Sequence, residues 1–163
     1  MKRFLFLTLT VCLAFSLNAQ KKAQAKSILN KPVPQLNIEE WIGEQPNLNG
    51  KWILVDFWAT WCLPCRTAIS HLNDFHELYG DDLIIIGLTD EQKEKVLEMK
   101  YPKLQYYVAT DTQGRLKKEL ELNGIPYALL VDPDGIVKWE GNPLSKENEL
   151  DEYKIESIIY KQK

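Results

Sequence analysis

The chain has 163 residues, 45% of them hydrophobic and 26% charged, with five Trp and seven Tyr. That is the length of one domain with enough apolar surface for a core, and it excludes a disordered chain. The formal net charge of −3 and the lack of any basic block argue against nucleic acid as a partner.

The first nineteen residues read as an export signal. Lys2 and Arg3 form a positive start, residues 4–17 are mostly apolar, and small Ala19 precedes a new terminus at Gln20. An apolar run of about fourteen residues is shorter than the ~20 that a spanning helix needs. Cleavage is therefore expected over a retained anchor, and the expected compartment is the periplasm, with membrane association if the signal is kept. Cys12 lies in this run behind Val11, where a lipidation site would place a small residue. Removing Lys2 and Arg3 from 20 basic residues leaves 18 against 23 acidic, a net charge of −5.

Residues 20–31, with Lys21, Lys22, Lys26 and Lys31, read as a flexible lead-in, followed by one domain over 32–163. Pro32 and Pro34 exclude a helix at its start. An edge strand is expected at 35–38, one helical turn at 39–42 and a turn at 45–51. The apolar runs 52–58 and 83–88 read as central strands covered on both faces. Between them, Ala68, Ile69, Leu72, Phe75 and Tyr79 follow helical spacing, so 66–79 reads as a helix stopped by Gly80. Further helices are expected at 91–100 with Asp90 as its cap, at 113–122, and at 147–160 with Leu150, Tyr153, Ile158 and Ile159 buried. Strands are expected at 105–109, 127–131 and 136–139, the last two joined by Asp132-Pro133-Asp134-Gly135. This order predicts an α/β fold: a central mixed sheet flanked by helices, with a hairpin at one side.

Chemistry concentrates in Trp58-Ala59-Thr60-Trp61-Cys62-Leu63-Pro64-Cys65-Arg66. Export would leave Cys62 and Cys65 as the only cysteines, and one pair three positions apart is not a disulfide scaffold. Closing so short a loop barely restrains the unfolded chain. Cys62 precedes a helix, where free N–H groups and the helix dipole favour a thiolate. Such a position can lower a thiol pKa from about 8.5 to roughly 3.5–7.5. Cys62 is expected to be the more exposed sulfur and the nucleophile, and Cys65, one turn on, the resolving thiol. Pro64 is tolerated in a first helical turn because its missing N–H would have no partner there. Leu63 gives the thiolate neither charge nor hydrogen bond, so a stable disulfide and a reducing protein are expected. Asp56 places a carboxylate inside an apolar strand, which is costly without a task.

These residues resemble the thioredoxin superfamily, and more closely the exported TlpA/ResA-like reductases. The resemblance rests on Asn49-Gly50-Lys51, the 57–65 block, and Gly124-Ile125-Pro126 followed by Leu130 to Gly135. It spans most of 31–141. The resemblance implies a thioredoxin fold with an N-terminal extension and an inserted βα element. It implies that Asp56 accepts the proton of Cys65, with a pKa raised toward neutral by desolvation. It implies that Pro126 is cis and leaves the Ile125 backbone open to an extended substrate. Trp61, Leu63, Pro64, Ile125 and Pro126 are then the expected client-binding residues, with Trp61 at the rim and Trp58 in the core. The pattern departs from many TlpA/ResA-like chains at Ala68, Ser70 and Asp56, where those chains often carry Glu, Pro and Asn.

The expected function is reduction of disulfides in client proteins by a monomer, recharged by a membrane thiol donor and needing no cofactor or metal. Isomerase or oxidase activity is the alternative. A Cu(I) chaperone using Cys62, Cys65 and a His is a weaker one, since no further Cys or Met cluster supports it. A peroxidase would normally carry Thr or Ser where Ala59 stands. His71 and His76 are five apart, do not share a helix face, and read as solvated or core-edge.

Overall fold

The computed structural model describes residues 24–80 and 82–161. The expected export signal and residues 20–23 lie outside the described residues.

The first central run forms β2 (Trp52–Phe57) and the second forms β3 (Leu83–Thr89), paired in parallel. The helix α1 (Leu63–Tyr79) connects them and packs on one face of the sheet. Alternation along β2 decides which side chain goes where. Leu54 and Trp58 point into the core under α1, while Val55 and Phe57 point to the opposite core. Asp56 shares the parity of Leu54 and Trp58, so its carboxylate faces the α1 side.

Six strands form one mixed sheet in the order β1-β4-β3-β2-β5-β6. β5 (Tyr127–Val131) runs antiparallel to β2, and the Asp132–Gly135 turn returns the chain as β6 (Val137–Gly141). Asp132 organises that turn, accepting from the N–H groups of Asp134 and Ile136. On the other side, β4 (Tyr107–Thr110) joins β3 in parallel and β1 (Glu40–Trp41) closes the edge. The helices α2 (Lys93–Leu97) and α3 (Arg115–Glu119) lie before and after β4. α4 (Glu152–Ile159) is capped by Asp151, whose side chain accepts from the Lys154 N–H at 2.7 Å. It buries Ile155, Ile158 and Ile159 on the α1 face. Each such aliphatic side chain contributes about 1.5–3 kcal/mol when fully buried.

Several expectations are corrected. The edge strand is Glu40–Trp41 rather than 35–38, and no helical turn forms at 39–42. Glu39 and Ile42 instead donate their N–H groups to Thr110 and Val108 across the sheet edge. α2 and α3 are shorter than expected, and Asp90 does not cap α2. Its carboxylate pairs with Lys117 at 2.9 Å, and Gln92 occupies the cap position. α4 begins at Glu152, not 147, and Tyr153 is 72% exposed while Ile155 takes the buried place.

The largest correction concerns the lead-in. Residues 24–31 are not free of the domain. Lys26 N–H bonds to Leu120 O at 2.8 Å and Asn30 N–H to Val137 O at 2.8 Å, while Val137 N–H bonds to Lys31 O at 3.0 Å. Ile28 is buried against Leu116, Leu120 and Val137. This segment adds Ala25 and Ile28 to the core that holds Leu116 of α3.

Candidate active site

The chain leaves β2, turns at Ala59 to Trp61, and enters α1 through Cys62, which is the N-cap residue. Cys62 and Cys65 form a disulfide with Cα atoms 5.2 Å apart. The Cys62 sulfur accepts a hydrogen bond from the Cys65 N–H at 3.2 Å. That N–H is one of the four amides that a helix start leaves without a backbone partner. Helix α1 extends back to Leu63 because Pro64 falls in the first turn, where it costs no hydrogen bond. Both sulfurs are enclosed: Cys62 is 3% exposed and Cys65 fully buried. The expected difference in exposure is therefore small in the disulfide-bonded protein. Trp61 and Leu63 on either side of Cys62 are each 71% exposed. Pro64 is exposed and Pro126 is buried.

Asp56 is fully buried. Its strand neighbours are Gly87 on β3 and Ala128 on β5, so little side-chain volume crowds it. A Cβ on Gly87 would lie 2.9 Å from Trp58 Nε1 and 3.1 Å from a ring carbon of Tyr106. The missing side chain lets the Tyr106 ring cross β3, and its hydroxyl donates to Asp56 Oδ2 at 3.3 Å. Oδ1 has no hydrogen-bond partner among the described residues. Burial pushes the Asp56 carboxyl up to about 7, against a small opposing effect of the Tyr106 hydroxyl. The same burial, with Asp56 beside it, raises the Tyr106 phenol far above its ordinary range. At neutral pH Tyr106 is therefore a donor that does not ionise, next to an acid poised to do so.

Two residues outside the expected set shape the approach to Cys62. Glu91 receives the Thr60 N–H at 2.5 Å and the Thr60 hydroxyl at 2.7 Å, fixing the turn just before Trp61. A carboxylate soon after β3, at the carboxyl end of a parallel strand, was the available signal for it. The second is Gln24, which meets the loop holding Ile125 and Pro126. That loop faces Trp61 across a groove whose wall includes the Lys117–Asp90 pair. The Ile125–Pro126 bond is cis, as expected; Tyr101–Pro102 is a second cis bond that was not. Ile125 packs against both cores, one of which contains Cys62 and Cys65. His71 lies 3.0 Å from the Leu150 carbonyl and against Phe75, and His76 meets the Tyr107 ring edge-on. Neither histidine reaches the cysteines by any of these contacts.

A cystine held in this way has one reversible covalent change open to it, exchange with a dithiol or another disulfide. That makes the protein a thiol–disulfide oxidoreductase built on the thioredoxin fold. The family described as Thioredoxin-like matches residues 49–137. This is more than half of the chain, and the chain belongs to that family. Similar proteins carry the same chemistry in their names. Thiol-disulfide oxidoreductase ResA of Bacillus thuringiensis is 26% identical over 136 residues, covering 80% of this chain and 79% of that one. Sporulation thiol-disulfide oxidoreductase A of Bacillus subtilis is 32% identical over 109 residues, covering 63% and 66%. The solved thioredoxin domain of a thiol-disulfide oxidoreductase from Bacteroides vulgatus superposes with a TM-score of 0.64 at 19% identity, covering 80% of this chain and 97% of that one.

Proposed function

We propose that the protein works outside the cytoplasm as a monomeric reductase of client-protein disulfides. The observation that carries this reading is the Cys62 sulfur at the cap of α1, within hydrogen-bond reach of a helix N–H. In the reduced protein the Cys62 thiolate attacks a client sulfur. The client S–S bond breaks, a Cys62–client disulfide forms, and the first client sulfur departs as a thiolate that takes a proton from solvent. Cys65 then loses its proton and attacks the Cys62 sulfur. The protein cystine forms, the second client thiol leaves, and two electrons have passed to the client. Asp56 is the proton acceptor for Cys65, supported by its place on the α1 side of β2 and by a carboxyl that titrates at about 7. Trp61, Leu63 and Pro64 form the face that meets the client, and the Ile125–Pro126 edge pairs with its extended chain. A membrane thiol donor returns the cystine to the dithiol. The basic, apolar start of the sequence supports export to the periplasm.

The reducing direction is supported by Leu63, which is exposed beside Cys62 and adds nothing polar to favour its thiolate. The test joins an insulin-reduction assay to equilibration of the Cys62–Cys65 couple against glutathione. Catalysed insulin reduction is expected, with a potential nearer the roughly −270 mV of thioredoxin than the roughly −120 mV of a strong oxidant. An oxidising potential reverses the direction, and turnover of peroxide in place of insulin refutes the reaction class.

A further inference from the structure

We infer that Gln24, reaching back from the N-terminal segment, is a positioning residue that sets the loop on which a client chain pairs. Its side-chain amide donates to the Gly124 carbonyl at 2.9 Å and to the Pro126 carbonyl at 2.8 Å. Its own carbonyl accepts from the Asn123 N–H at 2.7 Å. Both donors of a glutamine amide are thus spent on the two carbonyls that flank Ile125. The Ile125 N–H and carbonyl make no hydrogen bond among the described residues. Gln24 therefore ties down the backbone on both sides of Ile125 and leaves that residue's own backbone groups available. An extended peptide adds to a sheet edge through such free groups.

Loss of this tie has a clear consequence. Gly124 has no side chain to restrict its backbone, so without the two side-chain bonds the peptide groups on either side of Ile125 are freer to tilt. Ile125 itself stays packed on the cores, and the Asn123 N–H keeps its bond to the Gln24 carbonyl. Ordering those peptide groups again on each encounter weakens client binding without touching the sulfur chemistry. The rest of the segment does not depend on Gln24. Ile28 is buried, its N–H bonds to Glu140 at 2.9 Å, and Asn30 and Lys31 bond to Val137. A change at Gln24 should accordingly leave the segment in place.

The inference rests on the proposed pairing of client with Ile125, and the test separates the two. The probes are a disulfide-bonded peptide, the same peptide with backbone N-methyl groups beside its cystine, and hydroxyethyl disulfide, all turned over with dithiothreitol as the recharging dithiol. Gln24→Ala and the isosteric Gln24→Glu, which at pH 8 cannot donate, are compared with the parent. The expected result is a KM for the peptide raised about fivefold in both variants, the worth of one net hydrogen bond, with kcat within about twofold. Turnover of hydroxyethyl disulfide, too small to use the loop, and the thermal midpoint should not change. If N-methylation raises KM in the parent but Gln24→Ala does not, the role of Gln24 is wrong and the pairing reading stands. If N-methylation has no effect, both fall. Equal loss of kcat on peptide and small disulfide would mean that Gln24 merely supports the fold, which also overturns the inference.

Discussion

Cys65→Ser is expected to arrest the protein on its client as a covalent mixed disulfide, and Cys62→Ser to abolish reduction altogether. The asymmetry follows from position. Cys62 caps α1 and can draw on a free helix amide, whereas Cys65 is fully buried one turn inside the helix. Cys62 is therefore the sulfur expected to meet a client, placed at the helix cap between the exposed Trp61 and Leu63. Once Cys62 is bonded to the client, Cys65 is the neighbour that can displace it. Well-oriented intramolecular groups reach effective concentrations of about 10⁵–10⁸ M. External thiol at about millimolar levels is no substitute, so the Cys65→Ser adduct should outlast a turnover of the parent by orders of magnitude. Non-reducing electrophoresis after mixing with a disulfide substrate reads this directly. A trapped adduct in Cys62→Ser instead would exchange the two roles.

The second large effect belongs to Asp56. Its carboxyl is raised from 3.8 to about 7, with burial as the first cause and the Tyr106 hydroxyl opposing it. Stability then depends on pH with a definite sign. Below about pH 4 the group is protonated in folded and unfolded chains alike. As pH rises from there to 7 the unfolded chain ionises first, while the folded chain keeps its proton, and stability declines. Above 7 both are ionised and the loss levels off. Each tenfold change in proton affinity is worth about 1.36 kcal/mol, so a rise from 3.8 to about 7 amounts to roughly 4 kcal/mol. Asp56→Asn removes the ionisation, so above pH 7 it should stabilise the fold by up to that amount. Little gain is expected near pH 4. Denaturant titrations at the two pH values compare the variant with the parent. The same variant should slow resolution of the mixed disulfide and erase a rise in its rate centred near pH 7. A rise that survives in Asp56→Asn assigns the proton transfer to another group.

Much of this was legible in the sequence because it lay in apolar pattern. Short, β-branched runs such as Ile84-Ile85-Ile86 favour covered strands, and Ala68, Ile69, Leu72, Phe75 and Tyr79 mark one helix face. The cysteine pair was legible because its spacing fits a strand-to-helix junction. Element ends were less legible. Glu91 fits a first helical turn by type, yet its carboxylate is engaged by Thr60 across the site, so α2 begins later. Tyr153 fits the buried stripe of α4 by type, yet the helix starts at Glu152 behind the Asp151 cap and the stripe turns to Ile155. The Gln24 segment was least legible. It is held by main-chain bonds to Leu120 and Val137, and backbone groups are the same in every residue. The link from Tyr106 to Asp56 was equally hidden, since it depends on the side chain that Gly87 lacks.

Alkylation of the fully reduced protein by iodoacetamide across a pH series, with the modified cysteine identified by mass, tests the account most directly. Modification should fall first and almost wholly on Cys62, and stay fast well below the roughly 8.5 of a free thiol. Equal labelling of both cysteines, or a Cys62 rate that decays below that pH as an unassisted thiol's does, would contradict it.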